Sequence, residues 1–426
     1  MIRSRRMLSA VAVLFAAAAA NAFADGEPSL AEAMRAAELN SPRLKAASLR
    51  SEAAREGVGA AQAAYLPSIS ADGVDSWGFP GSSGYMGLGG MVGSPYRSGA
   101  AADLVARDTL YDFGRTQAEV KTAEQSESLV REGAAADRYA VDLDLLGTYY
   151  ECSRFRSEHE NWDNLHGEIA LVSNEVVRFV DIGQRSVVDR YLAQAQVEEA
   201  RTYRNYFESR MNSTAARLSL LTGEKNLGCP ALPPVAAPLP FPAGGASNPY
   251  VALAQDEVDL AKTQLTGAKA EYLPKVVGVA SVGTMEHVRL VNRSDYSGGL
   301  GVIVPLFDGL GTVHRVGEAR DELDAKTQEL GAIRLQMAET DARYDEIIDA
   351  SKARLEHLER EQTLAEEGFR VAKNRYFKFQ GTLVDLRDAV RNLGRIETDM
   401  SDTEANLLEA AGGKALLDGA ALGAGR

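Results

Sequence analysis

Tyr65-Leu66-Pro67 returns as Tyr272-Leu273-Pro274, and this repeated tripeptide is the first indication of how the chain folds. Each copy ends a segment rich in helix-forming residues and begins one with partial period-two alternation, because proline cannot continue a helix. A second repeated motif, Leu110-Tyr111-Asp112 and Leu306-Phe307-Asp308, leads into a glycine and then into a long charged, alanine-rich segment. The two aspartates are 196 residues apart, so the sequence predicts one structural plan that occurs twice.

A third matched region follows the two long segments. Residues from Arg178 to Asp189 match those from Arg375 to Asp385, and this match pairs Gly183 with Gly381. The spacing between the Asp of the second motif and the Asp of the third is 77 residues in both copies. Equal spacing predicts two long helices of equal length, each followed by a turn and a returning helix.

The long segments, 114–180 and 311–377, contain no proline and consist mostly of good helix formers, so each is predicted to be one continuous helix of roughly 100 Å. Returning helices are predicted over 189–222 and 384–411. Apolar or small residues recur every seven residues along the second long helix and its return, which is typical of a coiled coil. These positions are Val316, Leu323, Leu330, Met337, Tyr344, Ser351, Leu358, Ala365, Ala372, Leu386, Leu393, Met400 and Leu407.

Four short runs with partial alternation lie between the helices and predict β-hairpins at about 67–111 and about 274–307. Aromatic residues concentrate near the ends of these runs, as they do at the two interfaces of membrane-spanning strands. These aromatic residues are Tyr65, Trp77, Phe79, Tyr96, Tyr111, Tyr272 and Phe307. The first repeat (25–222) also contains a Gly/Ser-rich surface loop within 79–99. A linker with seven prolines (223–249) joins it to the second repeat (250–412).

The N-terminal residues have the pattern of a secretory signal peptide over 1–24, with three arginines before an apolar run. Ala22-Phe23-Ala24 predicts cleavage after Ala24, and no cysteine follows that would carry a lipid anchor. No later apolar stretch approaches the roughly 20 residues that a membrane helix needs, so a membrane crossing is expected to use β-strands. Residues 413–426 are expected to form a flexible C-terminal tail.

The composition disfavours nucleic acid as a partner, because 60 Asp and Glu residues outnumber 46 Lys and Arg residues and give a net charge of −14. No arrangement of residues indicates an enzyme, and no cofactor is predicted. His159, Asp163 and His166 share one helix face, but a solvated face is the favoured interpretation, so no metal site is predicted.

The two cysteines, Cys152 and Cys229, would reach an oxidising compartment after export. They lie at similar distances before and after Asp189, which places them at similar heights on the helical hairpin. A disulfide between them and a pair of free thiols, one on a helix and one in a loop, are both compatible with the sequence.

The order of these motifs resembles that of the TolC family of outer-membrane efflux and type I secretion channel proteins. The similarity extends from Leu30 to about Ala411 and includes residues 30–33 (Leu-Ala-Glu-Ala), 304–309 (Val-Pro-Leu-Phe-Asp-Gly) and 381–386 (Gly-Thr-Leu-Val-Asp-Leu). The resemblance implies a mainly α fold of two tandem structural repeats with a membrane β-barrel portion. Three chains would contribute four strands each to one 12-stranded barrel, continued by a long α-helical coiled-coil barrel in the periplasm.

The function implied by this resemblance is that of an outer-membrane channel in a tripartite efflux pump or a type I secretion system. Such a homotrimer is a passive conduit that works with a periplasmic membrane-fusion adaptor and an inner-membrane RND or ABC transporter, and it contacts outer-membrane lipid. The sequence does not indicate which substrate is exported or which transporter takes part. The rival hypothesis is a soluble periplasmic coiled-coil scaffold or adaptor protein, which heptads alone would equally predict.

Site residues also follow from the resemblance. The family's pore gate corresponds here to Asp385, Asp388, Tyr376, Glu198 and Asp189, with rings of carboxylates at the narrowest point. The alternative for Asp385 and Asp388 is that they are solvated acids near a helix N-terminus. Gly381 stands where the resemblance implies an arginine, so a different closed-state network is expected. The turns predicted to dock the adaptor contain Gly183, Gly381 and Thr382, with glycine supplying a left-handed backbone.

Overall fold

The computed structural model describes residues 28–77, 98–237, 248–285 and 293–419. The predicted signal peptide with its cleavage site lies outside the described residues, as do most of the Gly/Ser-rich loop, part of the proline-rich linker and residues 420–426. Within the described residues, no helix combines the length and the apolar character needed to cross a membrane.

Each repeat contributes the same order of elements, apart from one additional helix at the start of the first. The first repeat contains α1 (Leu30–Asn40), α2 (Pro42–Gln62), β1 (Ser68–Trp77), β2 (Ser98–Tyr111), α3 (Arg115–Asp181) and α4 (Val187–Thr222). The second contains α5 (Pro249–Ala270), β3 (Lys275–Met285), β4 (Arg293–Ile303), α6 (Gly311–Phe377) and α7 (Leu383–Leu417). The two long helices, α3 and α6, have 67 residues each, and both begin and end 196 residues apart.

Two element ends differ by more than two residues from the predicted ones. Strand β4 ends at Ile303 rather than at 307, because Pro305 has no N–H with which to continue a strand ladder. Helix α7 continues to Leu417, so the residues from 413 to 417 are helical and do not belong to a flexible tail. The side chains of Leu416 and Leu417 are buried, and this apolar packing extends the helix.

The described residues form two compact units. One unit contains the four strands, α2, α5 and the parts of α3 and α6 that lie next to the strands in sequence (42–138 and 247–339). The other contains α1, α4, α7 and the remaining parts of α3 and α6. The four strands form one antiparallel sheet in the order β1-β2-β3-β4. Because β2 pairs with β3, the two predicted hairpins are joined into a single sheet across the repeats.

The two faces of this sheet differ in chemistry. Leu104, Val282 and Tyr296 are cross-strand neighbours on one face, and their side chains are 51%, 52% and 88% exposed. We call this the apolar face. On the opposite face, here called the polar face, Ser281 and Ser297 pair through their hydroxyls at 2.7 Å. The next row of this face brings Asp72 opposite Asp103.

Each long helix begins at the repeated Asp-containing motif. The Asp112 carboxylate accepts the backbone N–H of Thr116 at 2.7 Å, and the Asp308 carboxylate accepts that of Thr312 at the same distance. These bonds satisfy backbone donors that would otherwise have no partner in the first helical turn. The motif therefore marks the change from strand to helix in both repeats.

Apolar side chains hold together the helices of the unit that does not contain the strands. Trp162, Ile169 and Val176 lie seven residues apart on α3 and are buried, in one cluster with Leu386 and Leu393 of α7. All the heptad positions predicted on α6 and α7 are buried or half-buried, as a coiled-coil seam requires. At one contact the helices approach so closely that a Cβ atom on Gly394 would lie 2.8 Å from the Trp162 ring.

Cys152 and Cys229 form a disulfide with a Cα–Cα distance of 5.1 Å. The Arg156 guanidinium also donates to the Cys229 carbonyl at 2.9 Å. The disulfide therefore ties the beginning of the linker after α4 to the middle of α3.

Candidate functional site at the two helix turns

The turn after α3 and the turn after α6 share three backbone hydrogen bonds. Gln184 N–H donates to the Phe179 carbonyl at 2.8 Å, and Gln380 N–H donates to the Arg375 carbonyl at 2.8 Å. Both donors and both acceptors are 196 residues apart, the spacing that also relates the helix ends. Tyr376 is therefore equivalent to Val180, not to Phe179 as the sequence motifs suggested.

The same spacing corrects the predicted pairing of glycines. Gly183 has a left-handed backbone (φ +75°), as predicted, but its equivalent is Phe379, which has φ +62°. The prediction that Gly381 supplies a left-handed residue is wrong, because the left-handed position of the second turn is two residues earlier. A Cβ atom on Gly381 would lie 3.3 Å from the Arg375 Cβ and 3.4 Å from the Tyr376 nitrogen, so close packing accounts for this glycine.

The returning helices begin with different caps. Ser186 caps α4 by accepting the N–H of Val188 at 3.2 Å. Thr382 caps α7 with a reciprocal capping box, in which its hydroxyl accepts the N–H of Asp385 at 3.2 Å and the Asp385 carboxylate accepts the N–H of Thr382 at 3.0 Å. The N–H and hydroxyl of Thr382 hold the pKa of Asp385 below its ordinary value.

Tyr376 and Asp189 connect the two turns through a side-chain hydrogen bond. The Tyr376 side chain is fully buried, and its hydroxyl donates to the Asp189 carboxylate at 2.9 Å. Burial raises the pKa of Tyr376 above its ordinary value, and the bond to Asp189 raises it further. The hydroxyl therefore stays protonated and keeps donating to a carboxylate that lies in the first turn of α4.

Arg185 connects the same two turns through backbone acceptors. Its guanidinium donates to the Tyr376 carbonyl at 2.5 Å and reaches the Gly381 carbonyl at 3.5 Å. The same group lies over the Tyr376 ring at 4.2 Å and over the Phe379 ring at 4.8 Å. Arg185 is the equivalent of Gly381, so the arginine expected from the family in the second turn is replaced by one that reaches across from the first.

Aromatic rings surround this arginine. Phe179 packs edge-on against Phe379 at 5.4 Å between centroids and lies 6.0 Å from Phe377, while Tyr376 lies 5.8 Å from Phe377. These contacts bring rings from both helix ends into one cluster, so the two turns of one chain behave as a single packed element.

The other predicted gate acids lie outside the Arg185–Tyr376–Asp189 group. Asp388 is 61% exposed and accepts from Arg387 at 3.0 Å. Glu198 is 69% exposed, with Arg201 at 3.7 Å. Its neighbour Glu199 makes a polar contact between α4 and α7, a two-pronged ion pair with Arg391 at 2.9 Å.

Sequence reasoning missed Arg185, although a signal for it was present. When the spacing of 196 residues is applied to every position of the turn, Arg185 of the first copy is equivalent to Gly381 of the second. The charge of Arg185 therefore has no counterpart at the equivalent position of the second turn. The acceptors of Arg185 are backbone carbonyls, which leave no trace in the sequence.

Two of the three residues considered for a metal site, His159 and Asp163, make other contacts. His159 Nδ1 lies 3.3 Å from the Arg204 carbonyl, and Asp163 lies 3.5 Å from the Arg204 guanidinium. Across 28–77, 98–237, 248–285 and 293–419, no three His, Cys, Asp or Glu side chains come together in a way that could hold a metal ion.

Comparisons with solved structures place this fold among outer-membrane channels. The chain is similar to the outer membrane protein VceC of Vibrio cholerae, with TM-score 0.80, 17% identity, and coverage of 92% of this chain and 96% of that one. It is also similar to the CmeC outer membrane channel of Campylobacter jejuni (0.79, 14%, 92% and 86%). A third similar structure is the open state of the MtrE outer membrane channel of Neisseria gonorrhoeae (0.75, 17%, 92% and 89%).

No curated protein matches the chain at a significant level of sequence similarity. The family model described as outer membrane efflux protein matches residues 33–224 and 245–413, which together make up most of the chain and both repeats. The resemblance drawn from the repeated motifs and the expectation of a mainly helical, two-repeat fold are both confirmed. The chain belongs to the outer membrane efflux protein family.

Proposed function

We propose that three copies of this chain form an export channel in the bacterial outer membrane, and that the channel is a passive conduit closed at the two helix turns. The observation that carries the proposal is the sheet, which has an exposed apolar face and a polar face. Such a sheet suits lipid on one side and a water-filled lumen on the other. Strands β2 and β4 each lead into one of the two long helices, α3 and α6.

The sheet edges are the reason to infer an oligomer. Strands β1 and β4 each have a neighbour on one side only within the described sheet. An unpaired strand edge leaves backbone groups unsatisfied in lipid, so neighbouring chains must pair with both edges. Four strands cannot enclose a lumen, whereas three chains with four strands each make the 12-stranded barrel implied by the family.

The Arg185–Tyr376–Asp189 group suits a gate, since it holds the two turns of one chain together. In this proposal the closed channel has these bonds, and opening separates the turns. Asp385 and Asp388 form rings of carboxylates near the constriction in the trimer, and Glu198 contributes a further acid. The turns with Gly183, Gly381 and Thr382 dock a periplasmic adaptor, and an inner-membrane RND or ABC transporter supplies the energy.

The test is to purify the protein in detergent, determine its mass and measure ion conductance in planar lipid bilayers. We expect a trimer with discrete, cation-preferring conductance steps and a far-UV spectrum that contains both helix and sheet. A monomer that stays soluble without detergent and produces no conductance would contradict the proposal and would favour the periplasmic scaffold.

A further inference from the structure

A basic cleft lies between α3 and α5 in the unit that contains the sheet. Its volume is about 520 Å³, and its charged lining consists of three lysines, Lys121, Lys262 and Lys269. No Asp or Glu is among its lining residues. This local excess of positive charge contrasts with the net charge of −14 of the whole chain.

The lysines of the cleft are largely uncompensated. The ammonium groups of Lys121 and Lys269 form no ion pair or hydrogen bond with any described residue, whereas Lys262 pairs with Asp259 at 2.8 Å. The floor of the cleft is closed where the helices approach each other, since a Cβ atom on Gly267 would lie 3.4 Å from the Ala118 Cβ. A compact anion therefore meets positive charge on both walls.

The cleft opens on the same side as the apolar face of the sheet. A different cavity is lined by Arg115 and Glu119 of α3 together with Val279 of the polar face. At 100° per residue, Gln117 and Lys121 of the basic cleft project from roughly the opposite side of α3. The basic cleft thus faces away from the polar side, which is the lumen side in the proposed channel.

Aromatic side chains mark the end of the cleft nearest to the sheet. Phe113 lines the cleft and packs edge-on against Tyr111 at 4.6 Å, and both rings are about half exposed. Tyr272 is also about half exposed at the matching end of α5. Exposed aromatic residues at the end of membrane strands occupy the level of the lipid headgroups. Lys121 follows within about 12 Å of Phe113 along α3, within reach of that level.

Neighbouring chains in the proposed trimer would leave this cleft open. Helix α3 follows β2 and α5 precedes β3, which are the two central strands of the sheet. The edges that pair with other chains belong to β1 and β4. The cleft therefore lies in the middle of each protomer's outer surface.

We propose that this cleft binds the phosphate headgroup of an anionic phospholipid from the membrane leaflet that faces the periplasm. The inference rests on the proposed function, because it needs the apolar face in lipid. The chemistry that is recognised is a phosphate anion held by ammonium groups, beneath acyl chains that lie against the apolar face.

Native mass spectrometry of the detergent-purified trimer tests this, with phosphatidylglycerol or phosphatidylcholine added as the probe. We expect retention of phosphatidylglycerol in preference to phosphatidylcholine. A variant with Lys121→Gln, Lys262→Gln and Lys269→Gln should bind phosphatidylglycerol roughly 100-fold more weakly at low ionic strength, since each lysine near an anionic surface contributes a factor of about 5. The matched control replaces Lys45, Lys275 and Lys326 with Gln, removing the same charge from the same unit outside the cleft.

Equal retention of the two lipids by the wild type would overturn the inference. An equal loss of phosphatidylglycerol binding in the two triple variants would also overturn it. Displacement of the lipid by millimolar inorganic phosphate, with no preference for the lipid over free phosphate, would overturn the lipid assignment. Bilayer conductance of the same preparation separates the two proposals. A conducting trimer that shows no preference for phosphatidylglycerol would contradict only the lipid-binding proposal. Protein that neither forms trimers nor conducts would contradict both proposals.

Discussion

The two helix turns share three backbone hydrogen bonds but carry different side chains at equivalent positions. The first turn has Gly183 in the left-handed position and Arg185 two residues later, whereas the second has Phe379 and Gly381 in those places. The first turn thus provides the hydrogen-bond donor, the Arg185 guanidinium. The second turn provides the backbone carbonyl acceptors and the aromatic rings over which this guanidinium lies. Duplication of one plan has produced two complementary halves of a contact.

This difference explains why neither turn can be understood by itself. Tyr376 in the second copy needs Asp189 from the first, and Arg185 in the first needs the Tyr376 carbonyl from the second. A repeat with two identical turns would place like groups opposite each other. The asymmetry therefore identifies the residues whose replacement should separate the turns.

The largest expected effect comes from the equivalent pair Tyr376 and Val180. Tyr376→Ala removes a fully buried ring and its hydrogen bond, and it should lower the free energy of unfolding by about 3–5 kcal/mol per chain. Val180→Ala is the matched control at the same position of the first turn and should cost about 1–2 kcal/mol. Thermal and denaturant unfolding measure both. Equal losses would show that the two turns are energetically symmetric.

Replacement of Arg185 should have the next largest effect. Arg185→Ala removes its charged hydrogen bonds and the cation–π contacts with Tyr376 and Phe379, for a loss of about 2–3 kcal/mol. The control is Arg178→Ala, because Arg178 is exposed and, among the described residues, pairs only with Glu175 of the same helix, for a change below about 0.5 kcal/mol. If both variants unfold at the same temperature, the contact between the turns contributes nothing to stability.

A smaller effect is expected for the hydrogen bond between Tyr376 and Asp189. A double-mutant cycle with Tyr376→Phe and Asp189→Ala should give a coupling free energy of about 1 kcal/mol. Because the pKa of Tyr376 is raised, its contribution is fully present below pH 10, the ordinary pKa of tyrosine, and is lost as the pH rises further. Coupling that disappears between pH 6 and pH 9 would contradict this assignment.

The helix caps should give the smallest effects and also separate two roles of Asp385. Thr382→Ala breaks a reciprocal box and should cost about 1 kcal/mol, somewhat more than Ser186→Ala, which breaks a single bond.

Asp385→Asn keeps most of the cap but removes the charge, so reduced cation preference with little loss of stability indicates a gate carboxylate. Because the pKa of Asp385 is lowered, the stability from its charge is present above pH 4 and lost as the pH falls below. Unchanged selectivity after Asp385→Asn would leave the residue with its capping role alone.

Sequence reasoning was most successful where the physical signal is periodic. Equal spacing and the heptad positions from Val316 to Leu407 predicted the long helices, because burial at one position of a coiled-coil seam must repeat every seven residues, about two helical turns. Local rules were less successful at the turns, where Gly381 is the predicted left-handed residue but Phe379 adopts that backbone instead. Packing against Phe179 and Arg185 offsets the cost of this conformation.

The contact made by Arg185 could not be predicted from local sequence. The bond from Arg185 to Tyr376 joins residues 191 positions apart, and its acceptor is a backbone carbonyl that any residue possesses. Only the relative placement of the two turns creates it.

The most direct test of the account is the resting conductance of single channels in planar bilayers. We compare the wild type, the double variant Arg185→Ala/Tyr376→Phe and the control Arg178→Ala, all verified as trimers. If the contact between the turns keeps the channel closed, the double variant should conduct several times more than the wild type, and the control should not differ from it. A trimeric double variant with wild-type conductance would contradict the assignment of this contact as the gate.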